Sequence, residues 1–382
     1  MSLSPRQLAP LRRNLLAWYR ANRRDFPWRR GRDPYRIWLA EIMLQQTRIA
    51  AVLPYYERFL DRFPNIRDLA RARESEVLKY WAGLGYYSRA GNLHRAAKQI
   101  IQHHGAQFPQ DLKRALALPG IGHYTAAAIL SIAYDVPLAA LDGNVARVLA
   151  RLLAVRGDLR APKTWRKLAA AAQTLLSSRA PGDWNQAMME LGETICTPRS
   201  PNCAACPIAR HCKARALGIA EKLPAAHQKR ASANVHIAAA VLVDSRGHTL
   251  LTKIPGAHDS VLFSRLWQFP AVAITGTGNS AHDPARGSAN YSVDVRANGV
   301  ANELAEHLRA SLGMPNQPLT PLPVAAHSVT FRKITLSPFL ARVARLPKRP
   351  DCRALPLAKL ARLPISSATQ KIARAAINAL AQ

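Results

Sequence analysis

Glu41 stands inside WLAEIMLQQT (residues 38–47), a run of apolar residues in which an ionised carboxylate is costly. The ordinary place for a glutamate is the water-facing side of an amphipathic helix. Among apolar neighbours the same group holds its proton to higher pH and becomes available as an acid. A second acid, Asp142, sits ahead of a helical run in LAALDGNVARVL (residues 138–149). Its structural use there is to cap that helix. A capping aspartate stays ionised, because backbone amides and the helix dipole stabilise it, and an ionised carboxylate is what must face a developing cation.

Four of the five cysteines fall in one stretch, Cys196-x6-Cys203-x2-Cys206-x5-Cys212, and Cys352 stands apart. Clustered thiols suit a metal better than a disulfide framework. Four thiolates can hold zinc or an iron–sulfur cluster. A zinc ribbon offers two tight pairs, and only one pair here is tight. The wide first gap suits a larger, cubane-like object. Arg199, Arg210 and Lys213 flank the cysteines and can meet phosphates.

The stretch LPGIGHYTAAAI (residues 118–129) reads as a turn between two helices. Gly120 and Gly122 permit positive φ and a close approach of backbone to ligand. Amides at the start of the second helix form a phosphate site. A plain helix–turn–helix joint has the same pattern.

Lys plus Arg number 54 against 23 Asp plus Glu, a formal net charge of +31. Such an excess favours a polyanionic partner, and the cations are scattered as on a folded surface. No run approaches the roughly 18 apolar residues of a membrane span, and the first residues lack a secretory signal. These features predict a soluble, intracellular protein with no membrane partner.

Residues 5 to 217 carry helical periodicity, punctuated by Pro and Gly, with Asp33-Pro34 as a capped helix start. Residues 218–234 read as a linker. Beyond it, VHIAAAVLVD and HTLLTKI read as strands around the turn Ser245-Arg246-Gly247. Residues 271–296 read as a loop, NGVANELAEHLRASLG as a helix, and PVAAHSVTF and TLSPFLARV as strands. The expected organisation is therefore a mainly α domain (1–217), a linker (218–234) and a small α+β domain (235–382).

The cysteine spacing resembles the [4Fe–4S] loop of endonuclease III-like DNA glycosylases, and LPGIGHYTA resembles the helix-hairpin-helix of that superfamily. Together with AEIMLQQTR, GLGYYSRAGNLH, LDGNVARVL and NQAMMELGETIC, these stretches resemble adenine DNA glycosylases of the MutY type. The resemblance spans nearly the whole first domain. It implies one [4Fe–4S] cluster on Cys196, Cys203, Cys206 and Cys212, and double-stranded DNA carrying adenine opposite 8-oxoguanine as the partner, with adenine opposite guanine as a further substrate. It also implies a monomer located in the cytoplasm with the nucleoid. Glu41 then matches the acid that protonates adenine N7, and Asp142 the carboxylate that stabilises or traps the sugar cation. Tyr124 and Asn144 match hydrogen-bonding positions of that site.

Bifunctional members carry a lysine where this chain has Tyr124. A phenol forms no imine, so the expected enzyme is monofunctional. Trp28, Arg29 and Gln186 match the adenine pocket, although a core tryptophan, a surface arginine and a solvated helix face are their plain structural uses. Gln46, with Gln45 beside it, matches the wedge that enters the duplex, and Tyr86 the stacking wedge near 8-oxoguanine. The second domain resembles the family's Nudix-like module more weakly, through RLWQFPAV (residues 265–272). Where the family often has Phe-Ser-His in that module, this chain has Val329-Thr330-Phe331. Thr330 keeps a hydroxyl and the histidine is absent, which puts lesion discrimination by that loop in doubt.

Overall fold

The computed structural model describes residues 5–225, 233–253, 266–274, 293–329, 332–363 and 365–381. The described residues group into two compact units. One comprises residues up to 74 together with 88–228; the other comprises 75–87 together with 229–382. The second grouping takes in the segment around GLGYY, which the sequence-based boundaries place in the first domain.

The first unit is helical, as expected. Its elements run α1 (Pro5–Asn22), α2 (Pro34–Leu44), α3 (Ile49–Arg62), α4 (Ile66–Arg71), α5 (Glu74–Trp81, grouped mainly with the second unit), α6 (Ser88–His103), α7 (Leu112–Leu116), α8 (His123–Tyr134), α9 (Gly143–Leu152), α10 (Pro162–Leu175), α11 (Pro181–Thr194) and α12 (Lys213–Ala216). Asp33 caps α2, accepting a 2.8 Å hydrogen bond from the Tyr35 amide, with Pro34 in the first turn. All residues from Ile37 to Met43 are buried, Glu41 included, so α2 has no solvent face along this stretch. A helix that is apolar all round is a core helix; α2 packs against α3 and α8.

Helix α11 packs against α1, α8 and α9. Two glycines let it come close. A Cβ on Gly182 would lie 2.7 Å from the Ser131 carbonyl oxygen and 2.8 Å from the Ile132 Cα, both on α8. A Cβ on Gly192 would lie 3.0 Å from the Asn144 Cβ on α9. This proximity brings functional side chains of three helices to one cavity.

In the second unit the strands are β1 (Ala233–Val243), β2 (His248–Lys253), β3 (Trp267–Gln268), β4 (Ala271–Ala273), β5 (Thr320–Pro321), β6 (Ala325–Val329), β7 (Arg332–Arg342) and β8 (Cys352–Pro356), with helices α13 (Val293–Leu312) and α14 (Ser367–Leu380). They form one mixed sheet in the order β3-β2-β1-β7-β5, with β4 on β1, β6 on β7 and β8 on β2. The centre is a parallel pair, β1 beside β7, in register from Ala233↔Arg332 to Val243↔Arg342. Successive side chains of a strand point to opposite faces. Thus Ala239, Val241 and Val243 join one core with Ile372, Ala373 and Ala376 of α14. Ala238, Ala240 and Leu242 join the other core with Leu304 and Leu308 of α13. A strand covered on both faces reads as a continuous apolar run, as IAAAVLV does.

The expected α+β character holds, with corrections in detail. Residues 271–273, read as loop, are strand β4 because they pair with β1 through Ile237↔Ala273 to Ala239↔Ala271. Residues 293–296, also read as loop, open α13. Helix α14 and strand β8 were not singled out by the sequence pattern.

Gly182→Ala should destabilise the first unit by about 2 kcal/mol, because the atoms it meets are backbone and cannot rotate away. Gly143→Ala, at the start of α9, meets nothing within 4 Å and should change stability little. Urea unfolding of the two variants checks the contrast.

Candidate active site

A cavity of about 610 Å³ opens in the first unit, walled by α2, α8, α9, α11 and the short 3₁₀ turn Pro27–Arg29. It brings together Trp28, Arg29, Glu41, Gln46, Tyr124, Asp142, Asn144 and Gln186 from the sequence-based set.

Glu41 is 9% exposed. Burial pushes its carboxyl up to about 7; the hydrogen bond with Tyr124 opposes this, and the nearby Asp142 charge adds to it. Tyr124, on the first turn of α8, also points its hydroxyl at the Met189 thioether at 3.7 Å. Burial and the Glu41 carboxylate raise the Tyr124 phenol well above its ordinary value, so it remains a donor.

Asp142 caps α9 as expected, accepting from the Val145 amide at 2.7 Å. Its carboxyl is nevertheless raised, not lowered. Burial is the larger effect; the amides of Val145 and Asn144 and the Arg147 charge pull the other way. Those amides set the two acids apart, since no backbone donor is among the main influences on Glu41. The loop before Asp142 is pinned from two helices. Asn185 on α11 accepts from the Ala140 amide (3.0 Å) and donates to the Leu138 carbonyl (2.8 Å). Gln173 on α10 accepts from the Ala139 amide (3.0 Å) and donates to Pro137 (2.8 Å). Asn144 accepts from Arg147 at 3.0 Å, and Arg147 donates onward to the carbonyls of Gly192 and Cys196.

Trp28 is 9% exposed and stacks on Phe26 with centroids 5.1 Å apart, so it is both core and cavity wall. Arg29 is not a surface residue. It donates to Glu190 at 2.8 Å and to the Arg24 carbonyl at 3.1 Å. Gln186 lines the cavity from α11 and makes one long 3.4 Å contact to the Gly182 carbonyl. The sequence reading missed Glu190, Glu193 and Arg24, which line the same wall. A signal existed: Gln186, Glu190 and Glu193 are spaced i, i+4, i+7 on α11 and share one face.

Gln46 takes a left-handed φ of 56° just past the end of α2 and lines the cavity. Gln45 does not line it and instead directs its amide toward the Thr125 hydroxyl at 3.4 Å. Arg89 on α6 holds this corner. Its guanidinium donates to the carbonyls of Ile42 (2.9 Å), Met43 (2.8 Å) and Gln45 (2.6 Å), satisfying the C-terminal carbonyls of α2.

Gly120 takes φ +78° in the α7–α8 turn, and a Cβ there would lie 2.8 Å from the Asn92 Cβ. Gly122 does not need positive φ: it caps α8 at φ −95° with open space around its Cα. Its contribution is room beside the first amides of α8. Tyr86 lies in the loop after α5, in the second unit, 38% exposed with φ 46°. Thr330 and Phe331 lie outside the described residues.

Cys196, Cys203, Cys206 and Cys212 line one small cavity with Arg151 and Arg215, and all four are free, half-buried thiols. Arg151 ties the loop to α9, donating to Cys196 Sγ (3.3 Å) and to the Thr197 carbonyl (2.6 Å). Burial pushes the Cys206 thiol up to about 11 and also raises Cys212. Four soft sulfur donors converge on this one cavity, a donor number and chemistry that a metal centre takes. Among the described residues, no group of three or more side chains is spaced for a single metal ion. Among them, too, no helix is long and apolar enough to cross a membrane.

Residues 39–174 match the HhH-GPD family, described as HhH-GPD superfamily base excision DNA repair protein. A thermostable thymine-DNA glycosylase has a similar fold over 56% of this chain and 98% of its own, with 30% identity and a TM-score of 0.51. The helical unit is therefore of the class of HhH-GPD base excision repair proteins. The adenine DNA glycosylase of Mycolicibacterium smegmatis is 41% identical over 219 residues, covering 57% of this chain and 71% of that protein. That of Homo sapiens is 42% identical over 218 residues, covering 55% of this chain and 40% of that protein, so the match spans well under half of the human relative's length. The chain belongs to the adenine DNA glycosylase family.

The raised Glu41 carboxyl predicts a stability effect. Its folded value, about 7, lies above the ordinary 4.5, so its contribution is fully present below pH 4.5 and lost as pH rises through 7. Glu41→Gln should therefore be more stable than wild type at pH 8.5, by up to about 3 kcal/mol, and melt at a higher temperature. The difference should shrink toward pH 5 in thermal melts at both values.

Proposed function

We propose that the chain is a monofunctional adenine DNA glycosylase that removes adenine opposite 8-oxoguanine from duplex DNA. One observation carries the reading: a single cavity holds two carboxyl groups whose surroundings set them apart, Glu41 at about 7 and Asp142 restrained by helix amides. An adenine must leave the stack to reach such a cavity. Glu41 gives its proton to N7, the C1′–N9 electron pair passes to the base, and adenine leaves neutral. The cation left on the sugar faces the Asp142 carboxylate. Glutamate 41 then takes a proton from the attacking water, whose hydroxide joins C1′, and the acid is restored. This is the two-carboxylate scheme of glycoside hydrolysis applied to an N-glycoside.

Tyr124 hydrogen-bonds Glu41 and supplies no amine, which supports hydrolysis without strand cleavage. Trp28, Arg29 and Gln186 form the wall that would meet the base, a side-chain amide being able to pair a donor and an acceptor edge of adenine. The amides around Gly122 and the net charge of +31 suit the DNA backbone. Four half-buried thiols on one cavity support a [4Fe–4S] cluster on Cys196, Cys203, Cys206 and Cys212. When bound, the cluster would supply the positive iron core that the thiolates need and hold their loop. The second unit would serve as the Nudix-like module that inspects the opposite base.

A duplex with adenine opposite 8-oxoguanine, incubated with the protein, should break only after hot alkali. Breakage without alkali would show a lyase, and none in either arm would defeat the reading. The wild-type single-turnover rate should fall as pH rises through 7, and Glu41→Gln should bind the duplex without releasing adenine. Anaerobically purified protein should contain about four irons per chain, and Cys203→Ser should lose them. Stoichiometric zinc would refute the cluster.

A further inference from the structure

The cavity wall contains two guanidinium groups that ought to repel each other. Arg24 and Arg29 both lie over Phe26, with their guanidinium carbons 5.0 and 4.9 Å from the ring centroid. What holds them together is Glu190, whose side chain is 1% exposed. One carboxylate oxygen accepts from Arg24 Nε, and the other accepts from Arg24 at 3.0 Å and Arg29 at 2.8 Å. Arg24 also reaches Glu193. Two cations thus meet two carboxylates. Burial works against ionising Glu190, yet the two arginines hold it below its ordinary value.

We propose that Glu190 is the positioning residue of this cavity: its buried carboxylate clamps the Arg24 and Arg29 guanidiniums to the wall and withholds Arg29 from Glu41. This rests on the reading of Glu41 as the acid. An arginine that lacks a carboxylate partner seeks another, and a bidentate-capable fork is strongly attracted to one. Arg29 already acts on Glu41 in the lowering direction while bound to Glu190. Pairing the two would ionise Glu41 and remove its proton from use. The other groups facing Glu41 are Tyr124 on α8, Asp142 on α9 and Glu193 on α11. Asp142 and Glu193 favour the protonated acid, and Tyr124 opposes it. Arg29 is the cation among these influences, ranking after burial, Tyr124 and Asp142, while Arg24 and Arg48 line the same cavity, so the position of Arg29 adjusts the acid.

Two substitutions have opposite expected signs. In Glu190→Gln, Arg29 keeps a hydrogen-bond acceptor but loses its charge partner. The pH at which the single-turnover rate falls should move down by about half a unit, with a rate loss of about threefold at pH 7.5 and less at pH 6. In Arg24→Gln, Glu190 is left to Arg29 alone, and Glu193 loses its cation. The same limb should move up. Arg24 is 39% exposed, so this second variant keeps the test open should Glu190→Gln fail to fold. The Glu41 carboxyl, assigned in ¹³C spectra by its loss in Glu41→Gln, should titrate with the same two displacements in DNA-free protein. That readout needs no turnover. A wild type that releases no adenine defeats the activity reading, while the titration still decides the clamp. A Glu190→Gln protein that folds and keeps the wild-type Glu41 titration and pH limb would overturn it. So would a downward move in Arg24→Gln.

Discussion

Keeping one carboxyl group out of water is the constraint around which the helical unit is organised. Helix α2 is buried along the stretch that carries Glu41, and the group meets only the cavity that it lines. Its surroundings must then supply what water would have supplied. Tyr124 gives a hydrogen bond, and the cavity wall gives a balanced set of charges with Asp142, Arg29 and Glu193 nearest. Burial wins over the hydrogen bond, which is why the group titrates near 7 instead of 4.5.

The interior arginines do the matching work. The chain carries a formal charge of +31, yet the buried guanidiniums are each given acceptors. Arg89 takes the carbonyls that α2 leaves at its C-terminus. Arg147 joins Asn144 to the carbonyls of Gly192 and Cys196, and Arg151 continues to the cysteine loop. Arg29 and the partly exposed Arg24 share Glu190. A planar fork with five donors suits carbonyls at a helix end as well as a carboxylate, so one residue type closes three different junctions. The glycines complete the arrangement by removing bulk where α11 meets α8 and α9.

Much of the site was legible from the chain. Glu41 stood out because its neighbours are apolar, and the cysteines because of their spacing. The capping role of Asp142 followed from its place before a helical run, although its carboxyl is raised because burial outweighs the capping amides. Arg29 was harder. Its plain reading was surface, and only the approach of Glu190 from α11, 161 residues away in sequence, explains its burial. Gln45 and Gln46 are adjacent and chemically identical, yet one faces Thr125 and the other lines the cavity. The left-handed turn at Gln46 separates them.

In the second unit the apolar run IAAAVLV announced a strand buried on both faces, because successive side chains alternate whatever the partner. That its neighbour would be β7, parallel and about a hundred residues on, is a matter of long-range pairing that local pattern does not encode. The same division holds for the whole chain. By itself the sequence determined local things: helix starts, the turn at Gly120, the donor types and spacing of the cysteines, the apolar setting of Glu41. Tertiary structure alone decided which charges neutralise which. Coulomb energy and desolvation depend on distance and burial, and these are fixed only when α2, α8, α9 and α11 close on one cavity.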